Sequence, residues 1–180
     1  MQYKYILGVD PSGNFNEGKG TTGFCLYSAE KDCVIKTKSI CAEAYKTQHD
    51  YWHAVLMHVI TTAYKYKSII IVMEDYTLYA TKASSQINSR METPKLIGVI
   101  EYYCEECEIP VILQPAHTVK NRWANEVLIH KKYINKLGTR FCTADKHPID
   151  RHAIDAIRHA VHYGNFKNKK EKKHDSNKIS

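Results

Sequence analysis

The chain has 180 residues, of which 43% are hydrophobic, and a formal net charge of +7 at pH 7. This length suits one compact domain with a substantial core, and the basic balance favours a polyanionic partner such as nucleic acid. Residues 167–180 alone carry a formal charge of +4, so the rest of the chain is only mildly basic. We predict one domain over residues 1–165 and a lysine-rich, disordered tail over residues 166–180.

The six cysteines are scattered along the chain. No signal peptide is expected, because the first residues lead straight into an apolar strand, and the apolar runs are too short to cross a membrane. We therefore expect reduced thiols in a cytoplasmic protein. Cys104 and Cys107 resemble half of a zinc site, but the sequence offers no matching second pair, so a structural zinc is not expected.

Hydrophobic periodicity predicts three strands first, at residues 5–10, 21–27 and 33–40. Turn segments separate them, which is typical of an antiparallel meander. Helices and strands then alternate. We predict helices at residues 45–66, 94–107, 118–137 (in one or two pieces) and 148–162, and strands at residues 68–73 and 110–113. This order predicts an α/β fold with a mixed five-stranded sheet, in which parallel strands extend the meander and helices flank the sheet.

Two carboxylates stand at the ends of strands that are otherwise apolar. Asp10 ends the first strand, and Glu74 follows the strand that contains Ile69, Ile70, Ile71 and Val72. A carboxylate at the end of a buried strand is costly unless it is paired, solvated or bound to a metal. Ligand sites of open α/β sheets lie at strand ends. Each residue alone could be a turn or solvated position, but the two together indicate one shared site.

The last predicted helix adds a third acidic element, because His152 and Asp155 share a helix face. Two Mg²⁺ ions about 3.5–4 Å apart can activate water and stabilise the leaving alkoxide in phosphodiester hydrolysis. Carboxylates from separate elements suit Mg²⁺, and histidine suits Mn²⁺. Asp150 is well placed to cap the helix N-terminus. His159 and His162 continue the helix face and are expected to be packing or surface residues.

Six segments resemble motifs of the RuvC family of Holliday junction resolvases, particularly its shorter phage and viral members. Residues 6–13 match the opening strand with the first catalytic Asp, and residues 70–75 match the strand that ends in the catalytic Glu. Residues 152–156 match the closing helix. Weaker matches are residues 20–24 in the returning strand, residues 95–100 in a helix where glycine permits close packing, and residues 115–120 leading to a lysine. The order is consistent over about residues 5–163.

The resemblance implies an RNase H-like nuclease domain, a homodimer, and two Mg²⁺ ions per active site, for which Mn²⁺ could substitute. It implies paired symmetric nicks in four-way DNA junctions, during recombination, repair or processing of branched replication DNA in a bacterial or phage-infected cell. Asp10, Glu74 and Asp155 carry over as catalytic metal ligands. His152 stands where relatives have Asp or His and is interpreted as the fourth ligand, with Asp150 as its rival.

The sequence also offers candidate DNA contacts. Lys120 is the first choice, as a phosphate contact beside the metals. Lys82 and Arg90 lie in segments expected to border the acidic site, although each could be a solvated surface residue. Tyr76 and Tyr79 could stack on an unpaired base, a contact worth about 1–3 kcal/mol, or could simply pack within a loop.

Two other functions remain compatible with the sequence. An RNase H-type hydrolase of RNA–DNA hybrids would use the same acidic positions, and a noncatalytic DNA-binding module could share the fold. The spacing of His152 and Asp155 and the helix with Gly98 favour a resolvase, while the presence of all four candidate ligands argues for catalysis. The phosphate-loop glycine pattern is missing, so no nucleotide cofactor is expected.

Overall fold

The computed structural model of the chain describes residues 3–15, 19–77 and 91–167. Its centre is a five-stranded sheet in the order β3-β2-β1-β4-β5. The strands are β1 (Tyr5–Asp10), β2 (Thr21–Ser28), β3 (Cys33–Cys41), β4 (Ile69–Asp75) and β5 (Val111–Pro115). β2 pairs antiparallel with both β1 and β3, whereas β4 pairs parallel with both β1 and β5. The predicted mixed sheet, a meander extended by parallel strands, is confirmed.

Helices cover both faces of this sheet. α1 (Gln48–Lys65) and α2 (Glu92–Glu106) cover one face, while α3 (Ala116–Arg122), α4 (Asn125–His130) and α5 (Arg151–His162) cover the other. Ile6 belongs to the core beneath α5, and Leu7 and Val9 belong to the core beneath α1. Because side chains alternate along a strand, Asp10 lies on the same face as Ile6. The end of β1 therefore presents its carboxylate toward α5.

Two glycines allow α5 to lie directly on the sheet. A Cβ at Gly8 in β1 would lie 2.9 Å from the Ala160 Cβ and still closer to the Ala156 carbonyl oxygen. A Cβ at Gly23 in β2 would collide with the His152 carbonyl group. The backbone of α5 thus contacts two strands where only glycine leaves room. This close packing fixes the height of the helix above the strand ends.

The chain between α4 and α5 differs from the prediction. The predicted helix over residues 118–137 is wrong beyond His130, because Lys132 takes a positive φ of 61° and the chain turns into a second, three-stranded sheet. Its strands are β6 (Asn135–Leu137), β7 (Arg140–Cys142) and β8 (Pro148–Ile149). Tyr133 and Ile134 are buried and continue the apolar spacing that suggested a helix. The last helix accordingly begins at Arg151, three residues later than predicted.

Two further differences concern helix starts and packing. α1 begins at Gln48, after a 3₁₀ turn at Ala42–Ala44, where the Thr47 side chain accepts a hydrogen bond from the Asp50 amide. Gly98 in α2 is exposed, and within the described part of the chain a Cβ there would meet nothing within 4 Å. The expectation that this glycine permits close helix packing is therefore wrong.

A π-helical turn, Tyr163–Lys167, follows α5. The Phe166 ring lies 3.8 Å from the Arg122 guanidinium carbon and 6.2 Å from the Trp123 ring. This packing extends past the boundary predicted at residue 165, while residues 168–180 of the predicted tail lie outside the described residues. Among the helices described, none is both long and apolar enough to span a membrane.

Candidate metal centre

Three carboxylates from separate elements meet at one edge of the sheet. Asp10 ends β1, Glu74 lies near the end of β4, and Asp155 lies in the second turn of α5. Each offers a ligand oxygen, and these three atoms all lie within 4.8 Å of one another. β1 and β4 are parallel neighbours, so their carboxyl ends reach the same edge, and α5 brings Asp155 over it. The structure thus places together the three acids singled out from the sequence.

Asp10 is the most buried of the three, with 8% of its surface exposed. Burial raises its pKa to about 6, the hydrogen bond from His152 opposes that rise, and the charges of Glu74 and Asp155 add to it. The Nδ1 atom of His152 donates to the Asp10 Oδ2 over 2.7 Å, and its Nε2 accepts from the Arg151 side chain over 3.2 Å. His152 therefore lies beside the carboxylate group and orients one of its members. A role as fourth ligand stays a prediction.

Glu74 is held from two sides. Its Oε2 lies 3.0 Å from the Lys120 Nζ and 3.2 Å from the His159 Nε2. Burial alone would raise the pKa of Glu74, but the hydrogen bonds from His159 and Lys120 and the charge of Lys120 outweigh it and lower the pKa to about 2. Glu74 is accordingly a strongly stabilised anion.

Asp155 contacts two cations. Its Oδ2 lies 3.1 Å from the Lys120 Nζ, and its Oδ1 accepts a hydrogen bond from Arg158. Arg158 also donates to the Trp123 carbonyl over 2.8 Å and to the Asn125 side chain over 2.7 Å. The guanidinium therefore connects Asp155, through hydrogen bonds, to Trp123 and Asn125 at the junction of α3 and α4. Planar donor groups of this kind hold a carboxylate in a defined orientation.

Asp150, the rival fourth ligand, has a structural role in this arrangement. Its Oδ1 accepts a hydrogen bond from the Ala153 amide over 2.8 Å, so it is the N-cap of α5. This satisfies one of the amide groups left unpaired at a helix start. The predicted capping role is confirmed, and the carboxylate group defined above does not include Asp150.

The residues after Asp10 are fixed by both α1 and α2. The Tyr51 hydroxyl donates to the Ser12 carbonyl over 2.7 Å, and the Trp52 indole donates to the Gly13 carbonyl over 3.0 Å. From α2, the Glu92 carboxylate accepts from the Phe15 amide over 3.1 Å. The sequence indicated only a polar loop here. These contacts anchor the backbone that leaves Asp10, which limits how far the carboxylate can move.

The candidate DNA contacts divide into two groups. Lys120 on α3 contacts Glu74 and Asp155 in the acidic site. Tyr76 lies two residues after Glu74, and Tyr76 and Glu74 line a cavity of about 160 Å³. Tyr76 is half-buried and packs against the core beneath α1. Its predicted stacking on a base stays a prediction. Tyr79, Lys82 and Arg90 fall outside the described residues.

His159 and Arg158 are the site residues that the sequence analysis missed. His159 was expected to be a packing or surface residue, but it is fully buried and hydrogen-bonds to Glu74. A helical signal existed, because His152, Asp155 and His159 recur at spacings of three and four. The partner of His159 could not be read from that spacing, since it depends on which strand lies beneath the helix.

The comparisons with known proteins give a structural match only. The sequence matches no family model and no curated protein. A T. thermophilus RuvC in complex with a Holliday junction substrate has a TM-score of 0.68 at 13% identity, over 93% of this chain and 96% of that one. A second Thermus thermophilus RuvC structure has a TM-score of 0.62 at 14% identity, over 92% and 96%.

The large terminase nuclease from thermophilic phage G20c is a more distant match, with a TM-score of 0.50 at 11% identity over 91% of this chain and 83% of that one. The chain has an RNase H-like fold. This confirms the predicted fold class, and it places the three carboxylates on a scaffold shared with nucleases. At these identities the activity has to be inferred from the chemistry of the site.

Proposed function

We propose that the protein is a metal-dependent endonuclease that resolves four-way DNA junctions with paired symmetric nicks. The observation that carries this proposal is the convergence of Asp10, Glu74 and Asp155 at one sheet edge of an RNase H-like fold. Support for the substrate comes from the RuvC structure bound to a Holliday junction substrate, because the match extends over 96% of that RuvC chain.

The residues at this edge fit a hard divalent cation. Three carboxylate oxygens within 4.8 Å of one another repel each other, and this repulsion contributes to the raised pKa of Asp10. Lys120 offsets the charge of Glu74 and Asp155 but is not paired with Asp10 in any described contact. Oxygen ligands from separate rigid elements suit Mg²⁺, and also Mn²⁺. We propose Asp10, Glu74 and Asp155 as ligands, with His152 as the fourth.

Bound divalent ions would supply activation of the attacking water and stabilisation of the leaving oxygen. The protein's own residues prepare for that chemistry by fixing the carboxylates. His152 orients Asp10, His159 and Lys120 orient Glu74, and Arg158 orients Asp155. Lys120 is the cation placed to contact a phosphate oxygen beside the carboxylates, because its side chain is 36% exposed.

A symmetric junction requires two cuts, and two active sites related by a two-fold axis would deliver them together. We therefore include a homodimer in the proposal. The activity belongs in the cytoplasm of a bacterial or phage-infected cell, in recombination, repair or processing of branched replication DNA. Sedimentation of the full chain with and without a synthetic junction would measure the state of assembly, and a junction complex containing one copy would contradict the homodimer.

The deciding experiment compares DNA substrates and matched variants. Wild-type protein is incubated with a four-way junction, a flap, a fork, a linear duplex and an RNA–DNA hybrid, each with Mg²⁺ or Mn²⁺. We expect paired nicks in the junction. Cutting of the hybrid alone would identify an RNase H-type hydrolase instead, and junction binding without any cutting would identify a noncatalytic module.

Asp10→Asn is the matched test of the metal centre. It keeps the side-chain shape but weakens a metal ligand, so it should abolish cutting while junction binding is retained. Asp150→Asn is the control, because asparagine is an equally good N-cap and the position lies outside the carboxylate group. Normal cutting by Asp10→Asn would refute the proposed site.

A further inference from the structure

His159 is a buried polar residue that lies among apolar side chains of α5. Its neighbours Ala156, Ile157, Ala160 and Val161 are fully buried in the same core, and His159 itself has 0% exposure. A hydrophobic side chain would fill this position without the cost of burying an imidazole, which is tolerated only when its nitrogens are hydrogen-bonded. The position of the imidazole therefore requires an explanation other than packing.

The explanation lies in the two strands beneath the helix. Glu74 on β4 is the register partner of Gln114 on β5, and His159 contacts both. Its Nε2 lies 3.2 Å from the Glu74 Oε2, and its Nδ1 lies 3.0 Å from the Gln114 Oε1. A carboxylate only accepts hydrogen bonds, so the Nε2 of His159 must donate. His159 thus connects a candidate metal ligand to a buried residue on the neighbouring strand.

Gln114 supports the imidazole from behind. It is 5% exposed, and its Nε2 has no hydrogen-bond partner among the described residues. A neutral imidazole that donates through Nε2 presents Nδ1 as an acceptor. Rotating the Gln114 amide by 180° would place its Nε2 opposite that acceptor, which gives the buried amide nitrogen a partner. Either orientation of the amide leaves the ring fixed between β5 and Glu74.

We infer that His159 is a positioning residue that orients Glu74 toward Asp10 and Asp155. Its contact is restricted to Oε2, whereas Lys120 contacts both oxygens of Glu74. Lys120 is partly exposed and on a flexible stem, so it cannot by itself fix the rotation of the carboxylate. The rigid, buried imidazole can. The inference rests on the proposed function to the extent that Glu74 is taken as a metal ligand.

The expected effect follows from how such partners act. Residues that orient metal ligands typically change metal affinity or activity by about 10–100-fold when they are replaced. His159→Leu should therefore weaken Mn²⁺ binding by roughly that factor. His159→Gln keeps a donor near the position of Nε2 and should recover much of the affinity. The KM for a DNA junction should stay near its wild-type value while kcat falls, because His159 is buried and cannot contact the DNA itself.

The experiment measures Mn²⁺ binding to the full chain by isothermal titration calorimetry, together with cleavage kinetics. His162→Leu is the matched control, since His162 lies about one turn further along α5 and accepts a hydrogen bond from the Trp123 indole. It should bind Mn²⁺ like the wild type. If His159→Leu fails to fold, Gln114→Leu tests the same chain of contacts and should weaken binding in the same direction.

The outcomes separate this inference from the proposed function. Glu74→Gln should abolish Mn²⁺ binding at the site, and wild-type binding by that variant would refute the metal centre itself. If Glu74→Gln loses binding while folded His159→Leu retains wild-type affinity, only the positioning role is overturned. Equal losses in His159→Leu and His159→Gln would also overturn it, because they would show that the position responds to packing and not to the donated hydrogen bond.

Discussion

Replacing Gly8 by alanine should disturb both the stability and the metal centre of this protein. The added Cβ would lie 2.9 Å from the Ala160 Cβ, and it would collide with the Ala156 carbonyl oxygen. Ordinary contacts of a Cβ begin at 3.4 Å, so relieving the first contact alone requires α5 or β1 to move by about 0.5 Å. The second contact involves backbone, which cannot rotate away as a flexible side chain would.

The consequences can be estimated from this displacement. Forcing extra atoms into a well-packed core typically costs about 1–3 kcal/mol. For a chain of this size, each kcal/mol lowers the melting temperature by roughly 2–4 °C. α5 carries Asp155, and β1 carries Asp10, so the movement also separates two proposed ligands. A misplacement of about 1 Å can reduce a catalytic rate by roughly 10²-fold.

The assay pairs thermal unfolding with junction cleavage, and Gly98→Ala is the control. Gly98 is exposed within α2 and has room for a Cβ among the described residues. Alanine in a helix interior is favoured over glycine by about 0.5–1 kcal/mol, so this variant should melt higher. Gly8→Ala should melt lower and cut more slowly. Wild-type stability and activity in Gly8→Ala would refute the close packing of α5 on β1.

Two smaller predictions concern stability. Asp150→Ala should lower the free energy of unfolding by about 1 kcal/mol, measured in urea, whereas Asp150→Asn should not. Burial, then the charges of Lys38 and Lys36, lower the pKa of His58 to about 4. Below pH 6.5 the unfolded chain therefore binds a proton that the folded chain excludes, and stability should fall as the pH drops toward 4. His58→Phe should reduce this loss; an unchanged pH profile would contradict the assignment.

The elements that carry the acids were predictable because their signals are local. Asp10 and Glu74 end continuous apolar strands, and the periodicity of α5 places Asp155 on its buried side. Parallel neighbouring strands end at the same edge, so convergence followed from topology. The small three-stranded sheet that begins at Asn135 was not predicted, because the buried residues Tyr133 and Ile134 continue the apolar spacing of a helix. The chain turns at Lys132, which has a positive φ. Lysine is not a residue type that predicts this backbone conformation.

The contacts around the acids were not predictable, because they depend on distances between elements that are remote in sequence. His159 and Glu74 are 85 positions apart, and Gln114 and His159 are 45 apart. Helix periodicity shows that His159 faces inward but not which strand it meets. This limit does not apply to Asp150, whose local signal was sufficient because its cap is made to Ala153, three residues away.

The position of α5 affects both the stability of the fold and the geometry of the metal centre. Gly8 and Gly23 set its distance from the sheet, and the same helix carries Asp155 and the histidines that hold Asp10 and Glu74. Like-charged carboxylates at this spacing destabilise the protein unless cations offset them. A bound divalent ion would therefore stabilise the folded chain by an amount that grows with the logarithm of its concentration relative to its Kd. Substitutions that shift α5 should weaken metal binding and also lower the stability of the metal-free protein, whereas a substitution that only removes a ligand charge should weaken metal binding without lowering the stability of the metal-free protein.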